Sequence, residues 1–313
     1  MIISASYKTD IPTFYGEWFM NRLRQGYCRM VNPYSRQPIR VSLLPEDVDG
    51  FVFWTKNVSP FLKHLPEVKQ RGFPFVVQHT INGYPRILEY SVTDATRSVE
   101  NIRRIAEQHG PKVCVWRYDT IVSTSLTPYD FHRRNFERLA REIEGAVDEV
   151  VISFAHFYRK TLRNMQAASE EFAFSWDDPS DDEKRRLTAD LASVARVHGI
   201  QLSICSQRSF LVDGTTDARC VDADRFEQIT GRRIAAKLKG NRKECGCFAS
   251  RDIGEYDTCP HGCVYCYAVQ NGDLAQRRYT QHDPSSDFLF PPSQEAATPT
   301  AASPVVQLPL FPA

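Results

Sequence analysis

The chain has 313 residues, enough for one large α/β domain or a domain with an appendage. Lys and Arg total 39 against 38 Asp and Glu, so global charge announces no nucleic-acid partner, while 42% hydrophobic and 12% aromatic residues suit a globular core. No run approaches the ~18 apolar residues of a membrane span, and Met1-Ile2-Ile3-Ser4 has no basic leader, so no membrane or secretory address is expected and the cytoplasm is the expected compartment.

Taken in order, Ile2 to Tyr7 reads as a buried strand, and a helical pattern runs from Phe14 to about Arg24. Phe51 to Trp54 is a second strand, Phe61 to Gln70 a helix, and Phe73 to Val77 a third strand. Thr93-Asp94-Ala95-Thr96 offers capping chemistry before a helix carrying Val99, Ile102, Ile105 and Ala106. Val113 to Trp116 is a fourth strand, Thr127-Pro128 opens a helix to about Ile143, and Val150 to Phe154 is a fifth strand. Asp181 to His198 is a helix with Leu187, Leu191 and Val194 on one face, Ile200 to Ile204 a sixth strand, and Asp222 to Ile229 a short helix.

Six short strands separated by helices are the signature of a parallel α/β architecture. The pattern leaves a barrel and a doubly wound sheet open, but no Gly-x-Gly-x-x-Gly or phosphate-binding Gly-x4-Gly-Lys-Ser/Thr appears. Polar residues recur just past most strands: Lys8 and Asp10, Lys56 and Asn57, Gln78 and Thr80, Arg117 and Asp119, Ser153 and His156, Ser206 and Gln207. In barrels such strand ends build the site; elsewhere they are ordinary caps and loop residues. The stretch from Gly231 to Lys243 holds Arg232, Arg233, Lys237, Lys239, Arg242 and Lys243 without an acid. It suits either a phosphate grip or a solvated face.

Chemistry concentrates in Thr258-Cys259-Pro260-His261-Gly262-Cys263-Val264-Tyr265-Cys266-Tyr267-Ala268. Cys259, Cys263 and Cys266 form a Cys-x3-Cys-x2-Cys run, and thiolates prefer iron–sulfur clusters, zinc or copper(I). Zinc sites usually pair two Cys-x2-Cys knuckles, or one knuckle with two histidines. Three ligands from one loop would instead hold three irons of a 4Fe–4S cluster and leave the fourth open. Zinc, or a structural cluster aided by Cys245 and Cys247, is the alternative. An odd count of nine cysteines, five of them within residues 245–266, argues against a disulfide framework. Cys28, Cys114, Cys205 and Cys220 read as core thiols, with Cys205 at a strand end.

The run resembles the cluster loop of radical S-adenosylmethionine (SAM) enzymes, with aromatic Tyr265 before the last cysteine. The string His-Gly-Cys-Val-Tyr-Cys-Tyr-Ala is similar to the loop of spore photoproduct lyase and DNA-repair-photolyase-like proteins. The whole chain also resembles an uncharacterised bacterial family, domain of unknown function 1848. In ordinary radical SAM proteins the loop follows the first barrel strand, whereas here roughly 250 residues precede it. The resemblance implies a partial (β/α)6 TIM-like barrel, a 4Fe–4S cluster, SAM as cofactor and an external electron donor. It also implies production of a 5′-deoxyadenosyl radical, with DNA as the expected substrate class for lesion repair or base modification. Lys8, Lys56, Arg117, His156 and Tyr265 are the candidates for holding SAM or substrate. A non-catalytic DNA-repair accessory protein with a structural cluster and a zinc-binding module stand as rivals. His64, His79, His132 and His156 lack the spacing of a zinc hydrolase motif.

From about Gln281 the composition turns to Ser, Pro, Ala and Thr and reads as a disordered linker. It ends in Gln307-Leu308-Pro309-Leu310-Phe311, which resembles the peptide by which bacterial repair proteins bind the sliding clamp. A tail packed on its own domain is the alternative. The expected division is 1–230 barrel-like core, 231–280 basic segment and cysteine loop, and 281–313 tail carrying the clamp-binding-like peptide.

Overall fold

The computed structural model describes residues 1–32, 35 and 37–291; the clamp-like peptide with Gln307, Leu308, Leu310 and Phe311 lies outside the described residues. The chain opens with β1 (Ile2–Ala5), α1 (Ile11–Phe14), α2 (Gly16–Gln25), β2 (Tyr27–Val31), β3 (Pro38–Ser42) and β4 (Gly50–Thr55). It continues through α3 (Leu65–Gln70), β5 (Phe75–Thr80), α4 (Ala95–His109), β6 (Cys114–Ile121), β7 (Ser123–Thr124), α5 (Tyr129–Glu142) and β8 (Glu149–Phe154). Then come α6 (Arg159–Phe172), β9 (Trp176–Asp177), α7 (Asp181–Val197), β10 (Gln201–Ile204), β11 (Thr216–Asp217), α8 (Ala223–Thr230), β12 (Ser250–Asp252) and α9 (Gly272–Thr280).

Eight strands form one sheet in the order β11-β10-β8-β6-β5-β4-β1-β12, every neighbouring pair parallel. From β1 to β11 spatial order follows chain order, so each crossover advances the sheet in one direction. The side chains explain which face is covered. In β4, Phe51 and Phe53 point to one face with Phe19, Val68, Ile102, Phe136 and Leu191 from the helices, and Val52 points to the other. That second face is covered by Phe226 of α8 together with Ile234 and Cys247. Residues 231–252 therefore do not stand apart from the sheet; they lie on it and end in its edge strand. Where a partial (β/α)6 TIM-like barrel was expected, the chain shows a mixed α/β fold on one parallel sheet of eight strands, and among the described residues no ladder joins β11 to β12.

Local signals account for the helix starts. Asp94 accepts from Thr96 N at 2.8 Å, and Ser180 and Glu183 form a reciprocal capping box at α7. The expected linker from residue 281 is corrected as far as residue 291. Asp287 pairs with Arg22 at 2.5 Å and accepts from Tyr27 Oη at 3.0 Å, Trp18 Nε1 donates to Ser286 O, and Leu289 is buried. These residues are polar enough to read as linker, but the groove beside α2 and β2 supplies their partners. Among the described residues no helix is long and apolar enough to cross a membrane.

Candidate functional site

The C-terminal ends of the parallel strands open into one cavity of about 260 Å³. Strand residues are apolar because both faces are buried; the residues immediately after them are freed from the ladder and turn polar side chains inward. Lys8, Lys56, Arg117, His156, Tyr265, Cys259, Cys263 and Cys266 all line this space. Cys205, Cys220, Cys245 and Cys247 line it as well, although Cys205 and Cys220 read from sequence as core thiols. Cys28 and Cys114 lie in the helix-side core.

The cysteine loop follows β12, which comes last among the described strands yet pairs with β1, Ile2 opposite Ser250 and Ser4 opposite Asp252. Asp252 fastens the two strand ends. Its carboxylate accepts from Ser4 Oγ at 2.7 Å, Ser6 Oγ at 2.8 Å, Tyr7 N at 3.0 Å and Gly254 N at 3.0 Å. A second carboxylate, Asp10, caps α1 through Thr13 N at 2.9 Å and accepts from Lys56 N at 2.8 Å. It also meets His261 Nε2 at 2.8 Å, which ties the interior of the loop to two strand ends. Burial alone would raise Asp10, but the hydrogen bond and charge of His261, with the two backbone donors, hold it below its ordinary value.

The loop is also clamped from outside. Ser91 N donates to His261 O at 2.8 Å and Val264 N to Leu88 O at 3.1 Å, so residues 88–91 run along the loop as a short antiparallel partner. Gly262 sits at φ +70°, where a Cβ would stand 3.0 Å from Tyr90 Cβ, so this turn requires glycine.

Within the cavity the cations have partners of their own. Lys56 Nζ donates to Glu89 Oε1 at 2.7 Å and to Tyr265 Oη at 3.1 Å. Asn82 Nδ2 reaches the same carboxylate at 3.1 Å and Tyr265 Oη at 2.9 Å, and Tyr265 Oη itself donates to Glu89. Burial pulls Lys56 down, yet the charges of Glu89 and Cys263 leave it raised overall. Arg117 pairs with Asp119, lies 5.0 Å over the Trp54 ring and donates to Gln78 Oε1. Lys8 Nζ stands 3.7 Å from Asp252 and 5.4 Å from the Tyr256 ring centroid. His156 sits at the mouth, its Nε2 3.2 Å from Gln207 Nε2. Of the basic run only Arg242 lines the cavity; Arg232, Arg233, Lys237, Lys239 and Lys243 are exposed.

Sequence reasoning missed Asp252, Glu89 and Asn82. Ser250-Arg251-Asp252 carries no apolar run, and Glu89 and Asn82 belong to a loop without periodicity. His261 lay within the singled-out string but carried no assigned role.

A parallel sheet whose strand ends converge on a thiol-lined cavity defines a class: an α/β protein with a sulfur-rich site at the carboxyl edge. The chain belongs to the family described as a domain of unknown function (DUF1848), whose profile matches residues 2–268, from β1 through the last cysteine of the loop. No curated protein matches the chain, and no solved structure matches it.

Proposed function

We propose that this chain is a radical SAM-type iron–sulfur enzyme acting on DNA, with Cys259, Cys263 and Cys266 as cluster ligands. The observation that carries the reading is the place of the loop. It leaves an edge strand beside β1 and enters the cavity at the carboxyl end of a sheet wound in one direction. In radical SAM proteins the loop follows the first barrel strand; β12 takes that first place in space while being last in sequence. The open sheet is accordingly read as a partial barrel.

The donor set fits the group. Three thiols from one loop border a single cavity, and Ala268 N already donates to Cys266 Sγ at 3.3 Å, the N–H···S contact that supports cluster thiolates. Among the described residues no three His, Cys, Asp or Glu side chains already surround one point, so the loop thiols would have to turn toward any bound metal, ion or cluster alike. When bound, a 4Fe–4S cluster with SAM supplies one-electron cleavage of the sulfonium, and the protein supplies orientation and exclusion of water.

The chain's own residues divide the work. Lys56 and Arg117, expected as SAM or substrate contacts, are neutralised by Glu89 and Asp119 and so serve as fixed walls. Lys8 and His156 are the looser polar groups facing the cavity and are proposed to meet the carboxylate or phosphate of a bound ligand. Asp10 and His261 hold the loop against β1 and β4. DNA is proposed from the photolyase-like loop and the clamp-like tail, and the exposed cations of 231–243, in the segment whose Arg242 lines the cavity, suit a phosphate backbone.

Anaerobic reconstitution with iron and sulfide, followed by reduction with SAM, is the test. 5′-Deoxyadenosine should form, its rate should rise with added DNA, and Cys263→Ala should abolish it. Iron uptake without SAM cleavage would leave the accessory-protein reading, and zinc binding without iron uptake would leave the zinc-module reading.

A further inference from the structure

The cavity has a second sulfur group. Cys205 follows β10, Cys220 follows β11, and Cys245 and Cys247 come from the segment lying on the sheet's second face. They approach from the β10–β11 side of the sheet, whereas the Cys259–Cys266 loop leaves the opposite edge at β12. Cys220 Sγ is 3.7 Å from Cys205 Sγ, Cys247 is in hydrogen-bond contact with Cys220, and Cys245 is in contact with Cys247. The four sulfurs form a continuous chain from 205 through 220 and 247 to 245.

N–H donors surround that chain. Arg117 Nη1 donates to Cys220 Sγ at 3.0 Å, Arg242 Nη2 to Cys205 Sγ at 3.2 Å and Val221 N to Cys247 Sγ at 3.5 Å. The backbone N–H groups of Cys247 and Asn241 are directed at Cys245. A neutral thiol is a weak acceptor, so the guanidinium N–H groups aimed at thiol sulfur gain little from it. Thiolates bound to a cation accept such donors well, and this N–H···S shell is what supports thiolate metal centres.

We propose that Cys205, Cys220, Cys245 and Cys247 constitute a second, four-thiolate metal centre in the same cavity. All four donors are soft, which selects zinc or iron–sulfur chemistry. Tetrahedral thiolates at about 2.3 Å from one ion stand ~3.8 Å apart, close to the spacing of Cys205 and Cys220. No three sulfurs already surround one point among the described residues. Binding closes the chain of contacts by rotation of Cys245, which is less buried than the other three. Each thiol releases its proton on binding. The two net negative charges of a dication with four thiolates face Arg242 and Arg117, the latter sharing its charge with Asp119. The centre does not depend on what the other loop holds.

The test uses the full chain with Cys259→Ala, Cys263→Ala and Cys266→Ala combined, which removes the first centre. Anaerobically purified, this variant should retain metal, and titration of its metal-free form with cobalt(II) should give thiolate-to-cobalt charge transfer and tetrahedral d–d bands. One zinc per chain identifies a single-ion site; iron with acid-labile sulfide identifies a cluster; either upholds the four-thiolate centre. Independently, Cys245→Ser in the otherwise natural chain should lower total metal content or shift the cobalt bands toward three-sulfur ligation. Unchanged metal and spectra in Cys245→Ser, or a metal-free triple variant with native circular dichroism and no cobalt bands, would overturn the proposal. A Cys205–Cys220 disulfide trapped by anaerobic alkylation in place of metal would overturn it too.

Discussion

His79 shows how one side chain sets a pH limit on the molecule. It lies in β5, fully buried, and neither ring nitrogen has a partner. Burial pushes its pKa down to about 4, partly opposed by the charge of Asp10 and reinforced by Lys56. His132 is also pushed to about 4 by burial, though its ring meets Tyr118 Oη and Val122 O. For both, the unfolded chain binds the proton first. Their contribution is therefore fully present above about pH 6.5 and declines as pH falls from there towards about 4. Each shift corresponds to a loss on the order of 3 kcal/mol across that window. Asp10, held below its ordinary value, loses its contribution only at lower pH. Urea unfolding at pH 7, 5.5 and 4.5 should show stability falling, and His79→Leu should flatten the slope by about one proton. An unchanged slope would place the titration elsewhere. Asp252 makes a sharper case. Asp252→Ala strands two hydroxyls and two amides and should cost about 2–4 kcal/mol in thermal or denaturant unfolding, with Asp252→Asn milder.

At the scale of elements, the join between β12 and β1 governs the site. A Cβ on Gly254 would stand 2.0 Å from Ser6 Oγ, closer than any packing allows. Gly254→Ala should therefore lower the melting temperature while leaving far-ultraviolet circular dichroism near native, and should weaken iron uptake by the proposed cluster loop. A variant with an unchanged melting temperature would show that the two strand ends need not meet this closely. β12 was illegible in sequence for a physical reason. Three polar residues at an edge have one neighbour and no two-faced apolar burial, so neither periodicity nor propensity marks them. β1, β4, β5, β6, β8 and β10 were legible because each is an apolar run buried on both faces. The β2–β3 ribbon and α6 were missed: the ribbon faces solvent on one side, and α6 buries only Thr161, Met165 and Ala168. The three loop cysteines could be read by spacing alone. Joining Cys205 and Cys220 to Cys245 and Cys247 required the sheet order, because only parallel neighbours β10 and β11 place the first two side by side.

Across the whole molecule, residues 283–290 act as a strap over α2 and β2. Arg22 is buried and depends on Asp287 and Ser285 O. Asp287→Ala should destabilise the protein by about 1–3 kcal/mol and alter Trp18 fluorescence, since Trp18 donates to the same segment. No change in either would mean the strap is not held by this pair. The proposed clamp peptide at residues 307–311 predicts that a synthetic peptide binds a bacterial sliding clamp with affinity on the order of micromolar. Leu310→Ala with Phe311→Ala should abolish that binding, and an unaffected double variant would remove the recruitment reading. The pairing of Ile2 with Ser250 has a consequence for the protein's birth. A ribosome adding ~5–20 residues per second delivers β12 roughly 12–50 s after β1. Throughout that interval the nascent chain presents β1 with one flank unpartnered and the cysteine loop unmade. The loop can take its place beside β1 only once β12 has been made, so a chain terminated before residue 250 would keep most of the strands of the sheet yet lack the whole cysteine loop.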